Sequence, residues 1–180
     1  MRKLSRIIII FILLLILVAC DNNASIIDTE DEIPKIAIKS DDIKIDYVVG
    51  LNYWNKNVYD RSDNFLVIME KGFEVLPYFE LGSEITISFD DDLAPDEYEL
   101  YDYILNENGT PKYTDNEVIK RPISLDKGTG SFSLETHFAA LLSSHSNDYK
   151  NGTSIRGFKL VCRWGEDECE YGFIIRSDAH

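Results

Sequence analysis

Apolar residues in this chain recur mostly at every second position, and beyond the N-terminus there is no long apolar run at helical spacing. Ile36 and Ile38 alternate with charged or small neighbours, and Ile43, Ile45 and Tyr47 alternate with Lys44 and Asp46. That is the period-two pattern of strands with one face buried. Ile85, Ile87 and Phe89 share one face of the next such segment, and Tyr98 to Leu105 follows an acidic, Pro-containing turn. In that stretch Tyr101 and Tyr103 lie opposite Leu100 and Ile104, which leaves open which pair faces the core. Phe65 to Met69, apolar throughout, reads as a buried strand, and Ser131 to Leu134 as another. Only Glu135 to Leu142 reads as a helix, of about two turns.

The last two strands are the clearest. Phe158, Leu160, Cys162 and Trp164 fall on one face of the first, and Cys169, Tyr171, Phe173 and Ile175 on one face of the second. A two-residue turn at Gly165-Glu166 sets Cys162 directly opposite Cys169, whereas a four-residue loop leaves them diagonal, and the shorter turn is expected. The pair is a candidate disulfide. The alternative is two free thiols serving as small buried hydrophobes. Asn108-Gly109 and Asn151-Gly152 mark further tight turns. Roughly eight short strands with turns every eight to twelve residues imply an all-β domain, a single antiparallel β-sandwich with the short helix crossing between sheets. In strand count and spacing it resembles the immunoglobulin-like sandwiches, although the Cys-Trp-Cys pattern of antibody domains is missing. A partly open barrel is the rival architecture.

The N-terminus departs from this pattern. Arg2, Lys3 and Arg6 precede twelve uncharged apolar residues, Ile7 to Val18, and Asp21, Asn22 and Asn23 follow almost at once. A membrane-spanning helix needs about 20 apolar residues, so the run reads as a secretion signal. Leu17-Val18-Ala19-Cys20 resembles the lipobox of bacterial lipoproteins. The resemblance implies a signal peptide at 1–19, cleavage before Cys20, and a covalent diacylglyceryl lipid on Cys20 that anchors the chain to a membrane, facing outside the cytoplasm. It covers only residues 1–20. Acyl chains contribute roughly 0.8 kcal/mol per buried methylene, and two of them make such an anchor stable. Residues 20–34, acidic and without periodicity, read as a flexible tether, and 35–180 as the sandwich domain.

Loss of the three basic leader residues takes the formal charge from −14 to −17. So acidic a surface repels nucleic acid and anionic head groups and attracts a basic protein or peptide. The mature chain is long enough to bury a core without metals or disulfides.

Catalytic constellations are absent from the sequence: no His-Glu-x-x-His, no Gly-x-Ser-x-Gly, no phosphate loop. Asp126-Lys127-Gly128-Thr129-Gly130-Ser131 is Gly-rich but reads as a turn. His137, His145 and His180 show no metal-ligand spacing; His137 and His145 are expected to face solvent, and His180 ends the chain. Asp90, Asp91 and Asp92 form an acidic strand end where calcium is a weak candidate. Tyr53, Trp54 and Tyr59, set among Asn and Lys, read as a candidate binding loop, against the alternative that Tyr53 and Trp54 plug one end of the core. These features together lead to the expectation of a non-enzymatic, membrane-anchored binding or accessory module for an envelope protein, extracellular ligand or cationic peptide, with no bound cofactor. The alternatives are a metal-dependent surface hydrolase and a self-protection (immunity) lipoprotein.

Overall fold

The computed structural model describes residues 33–58, 64–90 and 93–180. The expected leader, Cys20, the expected tether up to residue 32, Tyr59, Asp91 and Asp92 lie outside them. Contacts divide the chain into Met1–Ile33 and Pro34–His180, and the second unit carries the fold.

That unit is an all-β sandwich. Its strands are β1 (Ile36–Ser40), β2 (Ile43–Lys44), β3 (Tyr47–Trp54), β4 (Asn57–Val58), β5 (Glu84–Phe89), β6 (Glu97–Ile104), β7 (Ile119–Arg121), β8 (Thr129–Ser133), β9 (Ser154–Trp164) and β10 (Asp167–Ser177). They form a four-stranded sheet, ordered β2-β1-β5-β8, and a six-stranded sheet, ordered β4-β3-β10-β9-β6-β7. Every named strand pair is antiparallel. The inner faces meet through aromatic residues: Phe132 lies 5.3 Å from Phe158, and Phe89 lies 5.9 Å from Tyr171, centroid to centroid.

The β9–β10 hairpin follows the expected register. Trp164 pairs with Asp167 and Cys162 with Cys169, so Gly165-Glu166 is a two-residue turn. Gly165 supplies the positive φ of 61° that such a turn requires at its first central position. Leu100 and Ile104 of β6 face the core, while Tyr101 and Tyr103 are half-buried on the outer face.

Two expectations are corrected. Phe65 to Met69 is not a strand but most of a helix, α1 (Asn64–Met69). Phe65, Ile68 and Met69 are buried, whereas Leu66 and Val67 are exposed, which is helical spacing concealed in a run too short for periodicity to resolve. These residues lie on the outer face of the six-stranded sheet in one apolar cluster with Leu105, Ile155 and Ile174. The central strands β9 and β10 are therefore covered on both faces over part of their length. Close approach needs small residues beneath the helix: a Cβ on Gly50 of β3 would come within 2.5 Å of Asn64 Nδ2. Secondly, the expected two-turn helix at Glu135 to Leu142 is a 3-10 helix, Phe138–Leu142. It does join β8 of one sheet to β9 of the other, as a crossover.

Candidate functional site

The cleft of interest lies beyond the end of β6, with a volume of about 560 Å3. That falls in the range of small-ligand sites, roughly 300–1,000 Å3. One wall is the turn carrying Asn106, Glu107 and Asn108, with Lys112 and Tyr113. The opposite wall is the β8–β9 crossover, through Ala140, His145 and Asp148, and Ile104 and Ile155 contribute apolar surface.

Local chemistry shapes the first wall. Gly109, at φ 85°, lets the chain reverse, and its N–H donates to Asn106 O at 2.9 Å. Thr110 N–H donates to Asn108 Oδ1 at 3.1 Å, and Asn106 Nδ2 to Thr110 Oγ1 at 3.0 Å. A Cβ at Gly109 would lie 2.8 Å from Phe65 O, so the turn also packs on α1. The second wall is fixed from within: Tyr149 Oη donates to Ser143 O at 2.6 Å, and Thr153 Oγ1 to Asp148 O at 3.0 Å.

Lys112 Nζ joins the two walls by donating to Asp148 Oδ2 at 2.6 Å. Ser143 Oγ donates to the same oxygen at 2.5 Å. The bonds from Lys112 and Ser143 hold the Asp148 carboxyl below its usual range. Ser143, His145 and Asp148 do not make a nucleophilic triad. Ser143 is bonded straight to the carboxylate, and His145 reaches Ser143 Oγ through its backbone N–H at 3.1 Å, not its ring. With Asp148 neutralised by Lys112, the exposed Glu107 is left as an acidic group at the cleft without an ion-pair partner among the described residues. The arrangement, apolar surface with a polar rim, can bind.

A second polar constellation is internal. Asp102, fully buried on the core face of β6, accepts from Arg156 Nε at 2.9 Å, from Arg156 Nη2, and from Arg121 Nε at 2.8 Å. His137 is also fully buried, not solvent-facing as expected. Its Nε2 lies 3.1 Å from Asp102 O and its Nδ1 accepts from Ala139 N–H at 3.2 Å, so it caps the 3-10 helix; burial lowers its pKa. These groups are enclosed and saturated by each other, and present no ligand site.

The residues singled out from sequence are scattered. The described part of the Leu51 to Tyr59 stretch, up to Val58, is a hairpin and not the expected loop: Trp54 pairs with Asn57 around Asn55 and Lys56, whose φ values of 49° and 63° make the turn. Trp54 is 5 % exposed and packs edge-on against Trp164 at 5.7 Å, so it plugs the core end, while Tyr53 is half-buried. Asp90 is exposed at the end of β5. Cys162 and Cys169 are buried, and their sulfurs are unbonded in this structure. Among the described candidate residues, only His145 lines the cleft. No group of three or more His, Cys, Asp or Glu that could hold a metal occurs among the described residues.

The sequence offered partial signals for the rest. Asn108-Gly109 marked the turn, and Asp102 sits in the same alternation as Leu100 and Ile104, which points a charge inward. That the turn faces Asp148 is a tertiary fact with no local signature. No family model matches the chain, and no curated protein or solved structure matches it either.

Proposed function

We propose that this protein is a lipid-anchored, extracytoplasmic binding module whose cleft takes a basic peptide segment of an envelope partner. The observation that carries the reading is the cleft of about 560 Å3, walled by two connecting segments at one end of a rigid sandwich. Connecting segments on a rigid scaffold are where binding sites concentrate. Glu107 at the rim, and the excess of 32 acidic over 18 basic residues, favour a cationic occupant. The anchor rests on Leu17-Val18-Ala19-Cys20 and the leader before it.

The test is capture of crosslinked partners from native membranes at low and high salt, for the wild type and Glu107→Lys. The expected result is a partner that is lost in high salt and in the variant, because attraction between exposed charges is screened within about 8 Å at physiological ionic strength. A partner retained equally in both would refute the basic-segment reading, and recovery of a secreted toxin would make the module a self-protection protein.

A further inference from the structure

The central hairpin of the six-stranded sheet sets Cys162 of β9 directly across from Cys169 of β10, and both side chains belong to the fully buried core. We propose that these thiols are joined in the exported protein by a disulfide made before the sandwich closes, a permanent cross-strand latch and not a reversible switch. This rests on the extracytoplasmic reading above, because thiols persist as disulfides only where no reducing pool acts on them.

Register and face both favour the bond. Cys162 shares its face with Phe158 and Leu160, and Cys169 with Tyr171 and Phe173, all fully buried, so both sulfurs are directed to one side of one sheet. Opposed residues on adjacent antiparallel strands have Cα atoms about 4.5–5.5 Å apart, within the span a disulfide bridges.

Timing follows from burial. Exchange needs a thiolate that a partner disulfide can reach. In the closed sandwich neither cysteine is exposed, and burial pushes the Cys169 thiol up to about 12 and raises Cys162 as well. The hairpin itself is local, whereas the flanking β3 pairs with β10 from far back in the sequence, Gly50 opposite Glu170. Local hairpins form before such distant pairings. The open hairpin is therefore the reactive species. One cysteine thiolate attacks a donor disulfide, either glutathione disulfide or that of a thiol oxidase, and expels a donor thiolate. The second cysteine thiolate then displaces the other donor sulfur. Two thiols lose two electrons to the donor, and their two protons end on the donor thiols.

The experiment uses the full chain with its own leader. Membranes are quenched in acid, and the extracted protein is denatured and treated with a maleimide polymer before and after reduction. Cys20, once lipidated, does not react. The expected result is no labelled thiol before reduction and two after it. A processed, membrane-bound chain with two free thiols overturns the latch and leaves the anchor intact, whereas failure of the anchor shows as unprocessed chain in the cytoplasmic fraction. A second arm keeps the pairing testable in that case, with Cys20→Ser in the chain so that Cys162 and Cys169 are its only thiols. Chain refolded from denaturant with glutathione disulfide is expected to lose both thiols without adduct, while chain folded under reduction and then given the same reagent is expected to keep both. Two glutathione adducts in the first, or equally fast oxidation in the second, would overturn the proposal.

Discussion

Asp102 and Glu170 are both buried carboxylates of the six-stranded sheet, on opposite faces of it, and they differ in what surrounds them. Asp102 faces the core and meets two guanidinium groups. Those arginines reach further: Arg156 Nη1 donates to Glu135 O at 3.2 Å, Arg121 Nη2 to Thr136 O at 3.3 Å, and Arg121 Nη1 lies 3.1 Å from the Glu135 carboxylate. One carboxylate thus clasps β6, β7 and β9 of one sheet to the segment leaving β8 of the other. Glu170 faces outward under α1 and has one ammonium, Lys159 Nζ at 3.2 Å, and the amides of Asn64, Nδ2 at 2.8 Å, and Asn52. Desolvation outweighs these and raises its pKa. A saturated charge of the first kind fixes how two sheets sit together. An under-compensated one of the second kind makes stability depend on pH.

The largest effect should come from the clasp. Arg156→Leu leaves Asp102 in the core with one partner, and by analogy with other broken buried pairs it should cost about 3–5 kcal/mol. Urea unfolding with an unchanged m-value would report it. Replacing Asp102, Arg121 and Arg156 together by apolar residues of similar volume should cost less than the single change, because no unpaired charge remains. A triple variant that is less stable than Arg156→Leu would mean that the clasp stabilises beyond mutual neutralisation.

Next in size is the seat of α1. Gly50→Ala places a Cβ 2.5 Å from Asn64 Nδ2 and 3.0 Å from Glu170 Cγ. Overpacking of this kind costs about 1–3 kcal/mol. The loss should shrink in an Asn64→Ala background, since the side chain in the way is gone, and a double-mutant cycle measures the coupling. Strictly additive losses would show that the strain falls on β3 itself.

The same contrast explains what the sequence made legible. Strand alternation resolved the sandwich and the β9–β10 register because each inward position there is apolar, from Phe158 to Cys162 and from Cys169 to Ile175. Asp102 shared the alternation of Leu100 and Ile104, yet neither it nor Arg156 and His137 could be assigned to the core from sequence, because a charge or imidazole enters a core only with partners, and these come from β6, β7, β9 and the crossover. α1 was misread because five apolar residues in a row carry no period, and its burial depends on Gly50 and Gly172 lying under Asn64. The candidate site was the least legible part. Exposed Tyr and Trp are attractive binding residues, yet Trp54 fills the core end, and the cleft is made by two segments whose meeting no local pattern encodes.

A smaller effect isolates Glu170. Its pKa is raised in the fold, so the native state holds the proton more tightly than the unfolded chain does. The stability it contributes is complete below the ordinary glutamate value and is lost as pH rises through the raised one. Glu170→Gln cannot ionise, so the stability of wild type relative to the variant should rise as pH falls through that window. Parallel unfolding curves from neutral to acidic pH test this, and a pH-independent difference would mean that Lys159, Asn64 and Asn52 together fully compensate the charge.

The smallest effect belongs to a carboxylate that is neither buried nor under-paired. Asp148 is about one-third exposed and takes hydrogen bonds from Lys112 and Ser143 at the cleft, which lower its pKa. The sign is opposite to that of Glu170: its stabilisation is present above the ordinary aspartate value and lost as pH falls through the lowered one. Because water screens such a pair, Asp148→Asn should cost less than about 1 kcal/mol. Its consequence should appear in the cleft instead. Lys112 loses its counter-charge, the tie between the walls weakens, and the site becomes more positive by one unit, so a basic peptide should bind the variant less well at low salt while the fold is retained. Titration of a lysine-rich peptide against both proteins separates the cases. Equal affinity with reduced stability would make the pair a structural tie, whereas reduced affinity at equal stability would place the electrostatics of the cleft, unlike those of Asp102, in the service of binding.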